Sequence, residues 1–143
     1  MNTGIVEGVS YSIVAILTVA YCILMIIANW RIFTKAGEAG WKAIIPAYNT
    51  YVLYKLTWKT SMFWAMLILA FIAGIANGIG GILCAVIYGI FMLVVVVISI
   101  TQLHMLSKAF GHGVGFTIGL FILSPIFILI LAFGKSQYIG NQS

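Results

Sequence analysis

The side chains that could act as nucleophiles or bases are few and poorly spaced for catalysis. The chain has two acidic residues, Glu7 and Glu38, and no aspartate. Hydrolysis inside a membrane usually needs a Ser–Lys pair, a Ser–His pair, two aspartates or a metal ion. Ser107 and Lys108 are adjacent, so on a helix their side chains point about 100° apart and cannot readily pair. The sequence therefore predicts no enzyme active site.

The two histidines, His104 and His112, are the candidate ligands for a haem or a metal ion. Eight residues of helix turn through about 800°, which leaves their side chains about 80° apart. A hydrogen-bonded histidine near a membrane interface is the favoured interpretation. Residues 113–115 form a Gly-Val-Gly stretch that neither follows a strand nor continues as a dinucleotide fingerprint. We therefore expect no cofactor and no metal ion.

The elements that carry these side chains are strongly apolar. Of 143 residues, 64% are hydrophobic and 6% charged, and the mean hydropathy is +1.20. A soluble domain carries about 25% charged residues and exposes contiguous apolar patches of only a few hundred Å². The composition therefore excludes a soluble fold. It predicts an all-α integral membrane protein, with residues 1–143 forming a single membrane domain.

Four apolar runs approach or exceed the roughly 20 helical residues needed to cross the hydrocarbon core. They occupy residues 9–30, 62–79, 82–106 and 114–133. The β-branched stretch in the third run is compatible with a helix, because an open strand edge cannot survive in lipid. The fourth run carries Pro125 near its middle, where we expect a kink. The sequence predicts about four transmembrane helices.

Residues 40–59 form an aromatic and cationic segment that is too short to span a membrane. Pro46 suits the first turn of a short helix. Such a segment should lie in the interface plane or re-enter the bilayer shallowly. It would act as an anchoring elbow between two spans, or as a lid or docking surface. The residues expected at the interface are Trp30, Arg31, Trp41, Lys42, Tyr48, Tyr51, Lys55, Trp58 and Lys59.

The cations indicate an orientation. The net charge is +5, and six of the seven basic residues lie in the loops that follow the first and third spans: Arg31, Lys35, Lys42, Lys55, Lys59 and Lys108. The positive-inside rule places these loops in the cytoplasm, leaving Lys135 and both termini outside. Basic flanks beside apolar helices indicate anionic lipid headgroups as the partner, and not nucleic acid. We expect a multi-pass protein of the cytoplasmic membrane.

Small residues recur at every fourth position in three of the runs. Such residues share one helix face and let two backbones approach closely, which promotes helix association in lipid. The partner helix could belong to the same chain, to another copy or to a different membrane protein. The candidate helix-packing residues are Ala70, Gly74, Gly78, Gly81, Ala85, Gly89, Gly111, Gly115 and Gly119.

Four motifs give the chain a resemblance to a known family. They are Lys-Ala-Gly-Glu-Ala-Gly-Trp-Lys at 35–42, Ile-Pro-Ala-Tyr-Asn at 45–49, Ala-Phe-Gly at 109–111 and Phe-Gly-Lys-Ser-Gln-Tyr at 133–138. The chain resembles a bacterial family of small polytopic membrane proteins, the family of unknown function 5684. The resemblance implies a membrane-helical fold and brings no settled activity. Some relatives look as if they carry the name signal peptidase, but this chain lacks that enzyme's serine and lysine motifs and its β-rich catalytic domain.

The scarcity of reactive groups and the three small-residue stripes predict a non-catalytic polytopic protein. It would be a structural, accessory or assembly-forming subunit of a bacterial cytoplasmic membrane. The alternative is a pore or a transporter of ions or small solutes, built from several copies. Its path would be lined by backbone groups and by the polar cluster Ser99, Thr101, Gln102 and His104.

Overall fold

A computed structural model describes residues 2–141 of the chain, with side chains described from Gly4 onward. This part of the chain is helical and contains no strand, which confirms the all-α class. Its elements are α1 (Asn2–Lys35), a 3-10 turn (Gly40–Ala43), α2 (Pro46–Thr57), α3 (Thr60–Ile79), α4 (Ile82–Ala109), α5 (Val114–Ile122) and α6 (Ser124–Phe133).

Three of these helices are long and apolar enough to cross a membrane. They are α1, α3 and α4, with mean hydropathies of 2.5, 2.1 and 3.0 over their most apolar stretches. Each contains the corresponding run expected from the sequence and extends beyond it at one or both ends. The short helix expected within residues 40–59 is α2, and Pro46 occupies its first turn, as predicted.

Glycines end both α1 and α4 in the same way. After α1, Gly37 adopts a φ of 79°, and the Glu38 N–H donates to the Phe33 carbonyl oxygen at 2.9 Å. This is a Schellman cap, in which a left-handed residue lets the chain turn back over the last carbonyls. The equivalent bonds close α4, where Gly111 has a φ of 76°. Both helices therefore end at defined residues, and after each the chain turns away from the helix axis.

The fourth apolar run is not one span. It forms α5 and α6, which separate at Leu123 (φ −125°, ψ 47°) and fold back on each other. The Phe116 and Phe127 ring centroids are 4.9 Å apart, whereas eleven residues of straight helix would separate the two backbones by about 16 Å. The prediction of a single kinked helix over 114–133 is therefore wrong. Pro125 lies in the first turn of α6, where its missing N–H costs no helical hydrogen bond.

The hairpin formed by α5 and α6 returns the chain to the end of the molecule from which it left. Residues 134–141 run along that end: the Ile139 N–H donates to the Ala109 carbonyl oxygen at 2.8 Å, and the Tyr138 hydroxyl to that of Leu56 at 2.6 Å. Lys135 therefore lies with the other six cations. The prediction that Lys135 and the C-terminal segment lie at the opposite end is wrong, because it assumed a fourth span.

The core lies at this same end, which we call the base. The base comprises the last turns of α1, the 3-10 turn, α2, the start of α3, the C-terminal part of α4, the open ends of the hairpin, and residues 134–141. The buried apolar core extends from the base into the hairpin as far as Leu120. It is formed by Ala28, Ile32, Phe33, Ala43, Val52, Leu56, Leu106, Ala109, Phe110, Leu120, Leu131 and Ala132. Every residue of α1 from Gly4 to Leu24 is exposed, and the most apolar stretch of α4 buries none of its residues. The long helices therefore leave the base as arms with little cover from the rest of the chain.

Candidate functional site

Lys35 links the first helix to the last. Its ammonium Nζ donates to the carbonyl oxygens of Leu131 at 2.6 Å, Gly134 at 2.8 Å and Ser136 at 3.1 Å. These carbonyls belong to the end of α6 and the residues after it, where a helix leaves acceptors without intrahelical partners and carries partial negative charge. An ammonium group has three donors. All three are used here, so Lys35 caps α6 from α1.

Glu38 ties the loop after α1 to the rest of the base. Its carboxylate accepts hydrogen bonds from the Lys42 ammonium and, at 2.8 Å, from that of Lys55 in α2. The bond from Lys42 and then that from Lys55 hold the pKa of Glu38 below its usual value. The carboxylate is therefore ionised at neutral pH and joins three segments.

Four of the five aromatic residues expected at an interface line one side of the base, while the fifth, Trp30, lies against Gly40. Trp41 stacks on Tyr48 at 6.2 Å between centroids, and Tyr48 on Tyr51 at 5.9 Å. Tyr51 then meets Phe63 of α3 edge to face at 5.5 Å. Trp58, at the end of α2, stacks on the Tyr54 ring. The structure thus brings these side chains together, while their depth in a membrane stays a prediction.

The C-terminal segment closes the base. The Tyr138 ring packs edge to face against Phe110 at 5.7 Å, and burial raises the pKa of its hydroxyl, which donates to α2. The Asn141 amide donates to the Trp58 carbonyl oxygen. These contacts join the ends of α2 and α4 to the end of the described chain. All four motif segments therefore lie in the base.

Both histidines are hydrogen-bonded, as expected. His104 Nδ1 lies 3.0 Å from Thr117 Oγ1 and links α4 to α5, while His112 Nε2 lies 2.7 Å from Ser136 Oγ. His112 also stacks on Phe116 at 4.2 Å. Among the described residues, no three His, Cys, Asp or Glu side chains are grouped to hold a metal ion. His104 thus joins α4 to the first helix of the hairpin, and His112 joins the loop after α4 to the segment that follows α6.

The contact between Ser136 and His112 was missed by the sequence reasoning. The two residues are 24 apart, and only the fold-back of α5 and α6 brings them together. A hydroxyl beside an imidazole is half of a nucleophile–base arrangement, which also needs a group that orients the base and donors for an oxyanion. Within residues 4–141, Glu38 is engaged by two lysines, and Glu7 lies near the far end of α1. Neither carboxylate contacts His112 in the described part of the chain, so no acidic group orients its ring there.

The small residues proposed for helix packing fall into three groups. Gly81 and Gly111 lie in turns with positive φ, so the prediction that they extend helix faces is wrong. A Cβ at Gly119 would overlap the Phe127 ring of the same hairpin. The other six are exposed, and at the four glycines among them a Cβ would meet no neighbouring atom within 4 Å: Ala70, Gly74, Gly78, Ala85, Gly89 and Gly115. Their role in helix packing stays a prediction, and the helix that packs against them would belong to a second molecule.

Three long apolar helices joined to an aromatic and cationic base define a helical membrane-spanning protein. The chain matches the model of the Family of unknown function (DUF5684) over residues 41–141, well over half of its length. It belongs to that family, which confirms the resemblance carried by its motifs. No curated protein and no solved structure matches the chain.

Proposed function

We propose that the protein is a non-catalytic membrane subunit that acts by assembling with other transmembrane helices, either those of further copies or those of a partner protein. The observation that carries this proposal is the exposure of α1. From Gly4 to Leu24 the helix has no covered face, although it is long enough to cross a bilayer. Helices of a self-sufficient bundle share faces with their neighbours, so α1 is available for a neighbour outside the chain.

The open small-residue faces support the same proposal. In lipid, helices associate by close backbone packing at small residues, since hydrocarbon gives no hydrophobic drive. Gly74 and Gly78 share a face of α3, and a Cβ at either position would meet open space. Packing of α3 within the chain uses Ala73 and Ala76 instead, which are buried. The glycine face is therefore free to receive another helix.

Charge supports an orientation for this subunit in a bacterial cytoplasmic membrane. All seven cations lie at the base, so the positive-inside rule favours a cytoplasmic base and an external N-terminus. The hairpin would then enter from the cytoplasmic side. Nine residues of α5 rise by about 13 Å, nearly half of the hydrocarbon thickness. The hairpin tip would lie near the bilayer centre.

Topology can be measured with single cysteines in a chain lacking Cys22 and Cys84. We expect the Lys135→Cys variant to react with a membrane-impermeant maleimide only in inside-out vesicles. The Glu7→Cys variant should react only in right-side-out vesicles. Labelling of both positions from the same side would contradict the arrangement of three spans and a hairpin.

Assembly is tested by native mass spectrometry and cross-linking of the protein in mild detergent or lipid nanodiscs. Gly74→Leu should lower the fraction of complexes, whereas Gly74→Ala should largely preserve it. Ile68→Phe is the matched control, because this residue is 58% exposed and lies about 120° around α3 from Gly74. A strictly monomeric wild-type protein with no co-purifying partner would refute the proposal.

A second candidate function is an oligomeric pore or small-solute transporter, and the hairpin favours it. Non-helical backbone at membrane depth is tolerated where it is buried in protein or lines a water-filled cavity. The non-helical backbone at Leu123 would line a water-filled cavity if the hairpins of several copies met around a common axis. Flux through vesicles containing the inserted protein tests this candidate. Impermeable vesicles with correctly oriented protein would remove it.

A further inference from the structure

A groove of about 530 Å³ opens between the last turns of α1 and the end of α6. The Arg31 guanidinium carbon lies 4.8 Å from the centroid of the Phe133 ring. Stacking on an aromatic face orients the planar fork of an arginine while leaving its edge N–H groups available. The groove is lined by Trp30, Arg31, Thr34, Lys35, Ala132, Phe133 and Gly134.

Arg31 has no hydrogen-bond or ion-pair partner within the part of the chain that the structure describes, apart from the Phe133 ring. Glu38 is engaged by two lysines, and Glu7 lies about 36 Å away along α1. Lys35 also lines the groove, but its three donors are spent on carbonyls. The groove therefore offers a free guanidinium in a positive field. Such a fork suits the paired oxygens of a phosphate or carboxylate.

An apolar strip continues from Arg31 towards the N-terminal end of α1. Ile27, Ile23, Ala20 and Ile16 follow it at helical spacings of four, four, three and four residues, and all are exposed. Along this strip the side chains of α1 leave a shallow, open depression, lined by Ala15, Ile16, Val19, Ala20 and Ile23. From Arg31 to Ile16 the helix rises by about 22 Å, more than the depth of one leaflet.

We infer that α1 and α6 form a binding site for one anionic phospholipid, whose phosphate binds Arg31 and whose acyl chain lies along this strip. A free phosphate shares the chemistry of the guanidinium but has no group for the apolar strip. A zwitterionic lipid fits the strip but brings a choline cation into a groove that already holds Arg31 and Lys35. An anionic lipid satisfies both parts.

The site is tested by native mass spectrometry of the full chain in mixed micelles. The probes are phosphatidylglycerol and phosphatidylcholine with identical acyl chains, and the variants are Arg31→Gln and Lys59→Gln. Lys59 is an exposed cation outside the groove lining. Its replacement by Gln removes one positive charge, as Arg31→Gln does, without changing the groove. Wild type should retain one phosphatidylglycerol in preference to phosphatidylcholine. Arg31→Gln should weaken that binding by about tenfold or more, as expected for a lost charged hydrogen bond, while Lys59→Gln should bind as wild type does.

Two further measurements keep the test decisive. Arg31→Lys keeps the charge but loses the fork, so it should bind more weakly than wild type and more strongly than Arg31→Gln. Glycerol phosphate at millimolar concentration should fail to displace the lipid, whereas displacement would indicate a site for soluble anions. Equal binding of the two lipids, or equal losses in Arg31→Gln and Lys59→Gln, would overturn the inference. The same spectra report the oligomeric state, so this result is independent of the assembly proposal.

Discussion

Replacing Lys35 by methionine tests whether the ammonium cap holds α1 and α6 together. The variant keeps a long side chain but removes three donors from the carbonyls of Leu131, Gly134 and Ser136. Each hydrogen bond from a charged donor is worth about 1.5–3 kcal/mol, and a cation at a helix C-terminus adds about 0.3–1 kcal/mol. The carbonyl of Gly134 lies at an exposed position, so water replaces part of that loss. With the Gly134 bond set aside, the lower ends of these ranges for the two part-buried bonds give a decrease of about 3 kcal/mol in the free energy of unfolding.

Lys135→Met is the matched control for this variant. Lys135 lies in the same segment of the base and carries the same charge, but it is exposed and its ammonium makes no polar contact with the described residues. We expect a change within about 0.5 kcal/mol, as for ordinary surface substitutions. Unfolding by sodium dodecyl sulfate from mild detergent, followed by tryptophan fluorescence, measures both. Equal losses in the two variants would show that net charge, and not the cap, stabilises the base.

Three further variants probe the base by the same unfolding assay. The folded-state pKa of Glu38 lies below its usual value of about 4.5, so the unfolded chain binds this proton at a higher pH than the folded chain does. The free energy of unfolding should therefore fall as the pH drops from about 4.5 through the folded-state pKa. Glu38→Gln should remove this dependence. Gly40→Ala should cost about 1–3 kcal/mol, since Gly40 is buried and its Cβ would overlap the Trp30 indole, whereas Gly8→Ala, which meets open space, should cost nothing. Gln102→Met should stabilise by about 1 kcal/mol, because the amide nitrogen is buried without a hydrogen-bond partner among the described residues.

Long-range order within the base could not be derived from the sequence, whereas the three long helices could. The first three apolar runs predicted their spans directly, since length and hydropathy are local properties of the sequence. The start of α2 at Pro46 was also predicted from local chemistry. By contrast, the partners of Lys35 lie about 100 residues away, and no spacing rule connects an ammonium to carbonyls that distant. Residue types indicated an interfacial role, but only the fold supplies the partners.

The hairpin shows how a correct local signal led to a wrong topology. Pro125 predicted an interruption, and the chain is interrupted close to it. A run of twenty apolar residues satisfies the length of one span as well as it satisfies two half-length helices. The choice between them depends on contacts such as the hydrogen bond between His112 and Ser136, which form only after the chain has turned. Likewise, a four-residue spacing of glycines does not distinguish Gly111, a helix cap, from a packing face.

The distribution of contacts argues that the base and the long helices have separate roles. At the base, charged and hydrogen-bonded links such as Lys35 to α6 and Glu38 to Lys55 fix each segment in one arrangement. Along the arms, exposed apolar side chains and open glycines at Gly74 and Gly78 leave the neighbours unspecified by the chain itself. A fold whose segments are linked by polar contacts at one end and whose helices are uncovered at the other supports the proposal that the protein acts through those helices, by assembly in the membrane.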